Sequence, residues 1–81
     1  MHYSKLLSDF LTPLRNKEIN VLGYDSTNTT GILVRFDKFS IWINDTERSK
    51  HLIFDLENVE SITSGYNLTI EDNREPIEEN L

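Results

Sequence analysis

Cysteine is absent from the 81 residues, so no disulfide can staple the chain and no thiolate can hold zinc or act as a nucleophile. Glycine occurs only three times, too seldom to build a glycine-rich phosphate loop. Nowhere do about 18 apolar residues follow one another, and the stretch from Met1 to Leu7 lacks the apolar run of a signal peptide. The expectation is a cytoplasmic protein with no membrane segment. Imidazoles are scarce, His2 and His51 alone, and no spacing sets either beside a nucleophile and an orienting third group. Asp45, Glu47 and His51 share a turn region, a pattern that polar loops produce far more often than metal sites do. Neither an enzyme nor a bound cofactor is expected.

Positive charge is also in short supply. Eight Lys and Arg stand against fourteen Asp and Glu, for a formal net charge of −6. Proteins that live on phosphate backbones are usually basic, because each neutralised phosphate releases counterions. The deficit is unevenly spread. From Glu71 onward, Glu71, Asp72, Glu75, Glu78 and Glu79 face Arg74 alone, a net of −4 that leaves −2 on residues 1–70. A basic patch on the body of the molecule is therefore compatible with the total. A chain this short buries only about 60% of the surface its unfolded form exposes, so packing or association with other copies has to supply stability.

What is present is a change of period. Leu6, Leu7, Phe10, Leu11 and Leu14 fall on one helical stripe, with Ser4 or Ser8 able to cap it. Pro13 conflicts with an unbroken helix from Ser4 to Lys17, which must kink there or begin late enough to put Pro13 in its first turn. After Glu18 the pattern alternates. Ile19, Val21 and Gly23 share one face of a first strand, with Leu22 and Tyr24 on the other, and Asp25–Asn28 supply turn chemistry. Thr30–Lys38 reads as a long, bent returning strand with Ile32, Val34 and Phe36 on one side and Leu33 and Arg35 on the other. Phe39–Asn44, His51–Phe54 and Val59–Ile62 complete five strands. The fold class read from this is mostly β: a helix, then a small barrel of five antiparallel strands. Residues 1–65 form the domain and 66–81 an extension, in which Tyr66, Leu68 and Ile70 can add a strand before an acidic stretch expected to be disordered from about 71.

Two segments carry a family resemblance. Asp9–Val21, with its Phe10-Leu11, Leu14 and basic Arg15 and Lys17, resembles the N-terminal helix of the bacterial RNA-binding protein Hfq. Gly31–Ile43, with the pattern Gly-x-x-x-x-Phe-Asp-x-Phe ending on Phe39, resembles that family's first Sm motif, and Leu52–Ile62 is similar to a general second Sm motif. The resemblance implies an Sm-like, SH3-type barrel. It also implies a homo-oligomeric ring, a hexamer made by pairing the fourth strand of one protomer with the fifth of the next, that binds single-stranded A-rich or U-rich RNA and promotes RNA–RNA annealing. The implied RNA-binding residues are Phe39 and Lys38 on one face, Tyr24 on the other, and Arg15 and Lys17 on the rim.

Each of these has an ordinary structural role beside the functional one. Phe39 either stacks a base or closes the barrel beside Phe36. Tyr24 either stacks or packs in its strand. Arg15 and Lys17 either meet RNA or sit solvated at a helix end, where the dipole favours cations. Arg35 either approaches phosphates or pairs with a carboxylate. Phe54-Asp55-Leu56-Glu57 places carboxylates where the family has donors, which motivates a second reading: an Sm-fold scaffold that has lost most RNA binding. Of the two faces, the one bearing Tyr24 has the fewer acidic neighbours in sequence, Asp25 alone.

Overall fold

A computed structural model describes residues 1–72. A short helix, α1 (Lys5–Leu11), precedes six strands: β1 (Glu18–Gly23), β2 (Asn28–Phe36), β3 (Ser40–Asp45), β4 (Lys50–Asp55), β5 (Val59–Ser64) and β6 (Thr69–Glu71). All pair antiparallel in one sheet of order β4-β3-β2-β1-β5-β6. The expected acidic extension beyond residue 72 lies outside the described residues. No helix among them is long and apolar enough to cross a membrane.

Ser4 caps α1, its hydroxyl accepting the Leu7 backbone N–H at 3.1 Å. The helix stops before Pro13, and a 3-10 segment over Thr12–Leu14 carries the chain on. There Pro13 occupies a first-turn position, where its missing N–H would have had no helical partner in any case. Leu7, Leu11 and Leu14 are buried and Phe10 packs against the core, as the stripe predicts. Leu6, counted on the same stripe, is 71% exposed. Seven helical residues bury a seam too narrow to include it.

The strands bury alternate residues. Ile19 and Val21 of β1 and Ile41 and Ile43 of β3 are at most 1% exposed. Two bulges break the alternation. In β2 the register moves from Leu33 opposite Ile43 to Arg35 opposite Trp42, so Val34 is an extra residue. Beyond it every side chain changes face, and Phe36 joins Leu33 on the core side, opposite Ile41. The sequence expectation that Leu33 and Phe36 lie on opposite faces is thus corrected: strict alternation fails wherever one strand carries a residue more than its partner. A second shift, between Leu22 and Gly23 of β1 against β5, puts Val59 and Ile62, three residues apart, in the same core. Bulges bend and twist the strands that carry them, which suits a β2 of nine residues.

The five-strand expectation is corrected to a sheet of six. Tyr66–Ile70 does supply the further strand, as Thr69–Glu71, with Ile62 opposite Ile70. Hydrogen bonds from Ser64 N–H to Leu68 carbonyl and from Asp72 N–H to Glu60 carbonyl, both 2.8 Å, extend that cover along β5. Among the described residues the edges of the sheet are consequently β4 and β6.

Candidate nucleic-acid interface

Phe39 stands on the β2–β3 connection, and the residues around it explain why it faces outward. The Asp37 carboxylate accepts the backbone N–H groups of Phe39 at 2.8 Å and Ser40 at 2.9 Å, while the Asp37 N–H donates to the Ser40 carbonyl at 3.0 Å. An aspartate that closes its own turn in this way offers the backbone a substitute for ladder bonds. The Phe39 carbonyl is then fixed by the Leu56 N–H at 2.8 Å. With its backbone held on both sides, the Phe39 ring projects into solvent, 78% exposed. The alternative in which Phe39 closes the core is therefore replaced: Phe36 does that instead, brought inward by the β2 bulge.

The backbone bonds that shape this turn also act on the Asp37 carboxyl. The Phe39 N–H first, then the Ser40 N–H, hold it below the ordinary aspartate value of 3.8, and the positive charge of Arg35 adds to the effect. Asp25 is lowered in the same direction by the Thr27 hydroxyl and then by the Thr27 N–H, in the turn after β1.

Lys38 is exposed beside Phe39. Arg35 lies over the indole of Trp42, its guanidinium carbon 4.0 Å from the ring centroid, and forms no ion pair among the described residues. Trp42 is itself steadied by a hydrogen bond from its Nε1–H to the Ser40 hydroxyl at 3.2 Å. Arg15 and Arg35 line one shallow depression together with Thr12 and Phe36. The fold thus gathers Arg15, Arg35, Lys38 and Phe39 around the end of β2. The sequence offers Arg35 as a phosphate contact or the partner of a carboxylate; its link to Arg15 depends on where the 3-10 segment docks, which no local pattern encodes.

Lys17 goes elsewhere. It borders a different depression with Leu14, Glu18, Gly65 and Tyr66. Asn16, at φ 67, donates to the Leu33 carbonyl at 2.7 Å and turns the chain sharply between the two basic residues.

Tyr24 is also separate from Phe39. Its backbone N–H donates to the Asn58 carbonyl at 2.9 Å, and its ring is 42% exposed. The hydroxyl donates to the Asp72 carboxylate. That carboxylate is 3% exposed and lies 3.3 Å from the Met1 ammonium, which in turn donates to the Leu56 and Val59 carbonyls at 2.7 and 2.9 Å. Sequence neighbours alone made the Tyr24 face the less acidic of the two; the fold brings Asp72 to it from 48 residues away. Phe39 has acidic company as well, since Ser40 pairs with Asp55 and Leu56 lies between Asp55 and Glu57. Lys38 adjoins Phe39 in sequence, and Arg15 and Arg35 share the depression beside Phe36 at the end of β2.

Asp45, weighed as part of a polar turn or a metal site, spends its carboxylate on its own turn, accepting the N–H groups of Glu47 at 3.1 Å and Arg48 at 3.2 Å. No family model, curated protein or solved structure matches this chain.

Proposed function

We propose that this chain is an Sm-like domain that binds single-stranded RNA, with a base stacked on Phe39 and the adjoining phosphates near Lys38, Arg35 and Arg15. The observation that carries the reading is a large aromatic ring held outside the core by a closed turn. An exposed phenylalanine costs solvation and contributes nothing to packing, so its place on a hydrogen-bonded turn next to Lys38, with Arg35 and Arg15 at the end of the preceding strand, suits a stacking platform. The Sm-like part of the reading is supported by the helix-first order and by the bulge in β2. With β6 set aside, the two edges of the sheet are β4 and β5, the pair expected to meet between protomers of a ring.

Residues 67–72 lie on the β5 edge, so a six-membered ring of that kind requires them to move away from it. The stacking site does not depend on that step, because Phe39, Asp37, Arg35 and Arg15 belong to one protomer. Tyr24, with its hydroxyl on Asp72, is the weaker platform for an anionic ligand.

The second reading, a scaffold with little affinity for RNA, draws on the net charge of −6 and on Asp55 and Glu57 beside Phe39. Fluorescence anisotropy with A-rich and U-rich oligonucleotides separates the two. An RNA binder gives saturable binding that weakens steeply with salt. A scaffold gives a flat response to both oligonucleotides at low salt.

A further inference from the structure

β4 is an edge without the usual protection. Exposed edge strands are normally kept from pairing with other chains by brevity, by bulges, by proline or by charges along the strand. The opposite edge of this sheet follows the rule: β6 has three residues and includes Glu71. β4 has six residues, Lys50-His51-Leu52-Ile53-Phe54-Asp55, and runs in unbroken register with β3 from end to end. It contains no proline, and its charges sit at the ends. In its middle Ile53 is 56% exposed, and on the same face it continues the apolar surface of Trp42, its direct partner on β3.

We infer that β4 is the seat of a symmetric dimer, in which the β4 strands of two copies of this chain pair antiparallel across a two-fold axis at Ile53. Directly opposed residues of an antiparallel pair point to the same face of the sheet, and a two-fold axis makes each contact occur twice. Centring on Ile53 then fixes every other pair. Ile53 meets Ile53 of the second copy, and His51 meets the second copy's Asp55, on the face that carries Trp42. On the other face Leu52 meets the second copy's Phe54, both being half-buried at the present edge. The strand is thus complementary to itself, imidazole to carboxylate and apolar to apolar. Moving the axis by one residue, to Leu52, sets Lys50 against Phe54 and Ile53 against His51; moving it to Phe54 sets Ile53 against Asp55. Only the Ile53 register matches like with like. This dimer and a β4–β5 ring use the same edge and exclude each other; with residues 67–72 on the β5 edge, a second β4 is the partner left open, and stacking on Phe39 does not require it.

Sedimentation equilibrium on the full chain tests it. The wild type is expected at twice the 9.5 kDa chain mass, dissociating on dilution. Ile53→Lys, which puts two ammonium groups together on the axis, is expected to weaken the dimer by at least about tenfold. His51→Asp opposes two carboxylates twice over and is expected to do the same, while the double variant His51→Asp, Asp55→Lys restores association. Circular dichroism checks that each variant retains its fold, and the double variant provides the decisive comparison if Ile53→Lys does not fold. A wild type that stays monomeric, a mass above two chains, or a double variant as weak as His51→Asp alone would overturn the inference.

Discussion

Asp37 shows how one side chain prepares a site without touching a ligand. Its carboxylate holds the Phe39 and Ser40 amides, and both bonds favour the ionised form. Because its folded-state pKa lies below the ordinary 3.8, the stabilisation it lends the turn is present above that value and is lost as pH falls through the depressed one. Amide hydrogen exchange followed by NMR is expected to show Phe39 and Ser40 losing protection in that acid range. At neutral pH, Asp37→Ala should produce the same loss and Asp37→Asn, which keeps an acceptor, much less of it. Unchanged protection in Asp37→Ala would mean that the turn is held by other bonds. The outward aim of Phe39 was legible only as one of two options in the sequence. The Asp37-x-Phe39 spacing marks a turn, but whether Phe36 or Phe39 fills the core was settled by a bulge three residues upstream.

At the scale of elements, helix and strands are readable because their periods are distinct and their connections short. Bulges are not readable in this way. Val34 and the β5 shift near Glu60 look like ordinary members of alternating runs, and the extra residue exists only relative to the partner strand. Leu33, fully buried just before the β2 bulge, tests the corrected facing. Leu33→Ala is expected to cost about 2–5 kcal/mol, whereas Val34→Ala, at the half-buried bulge, should cost clearly less. Equal losses in urea denaturation would contradict the assignment. Gly31 is constrained by close approach, since a Cβ there would lie 2.6 Å from the Asn44 carbonyl oxygen and closer still to Ile43. The glycine of the Gly-x-x-x-x-Phe-Asp-x-Phe pattern therefore has a packing reason that is independent of any ligand.

Across the whole molecule, acidity and a basic patch coexist because the charges are segregated. Arg15 and Arg35 meet at the depression by the end of β2, while Asp72 reaches the Tyr24 side, where it lies near the Met1 ammonium. None of this long-range pairing follows from composition, which reports only the sum. If RNA phosphates lie along the Arg15 side, Arg15→Ala should weaken A-rich and U-rich oligonucleotides alike and lower the slope of log affinity against log salt by about 1. Lys17→Ala, in a separate depression, is expected to change the slope less.

The stacking claim is tested most directly by anisotropy titrations of wild type and Phe39→Ala against a fluorescent single-stranded RNA at low salt, with circular dichroism confirming that the exposed site tolerates the change. Loss of one stacked base predicts weaker binding by about 1–3 kcal/mol in Phe39→Ala, with the fold intact. Identical curves for the two proteins, or no binding by the wild type, would contradict it.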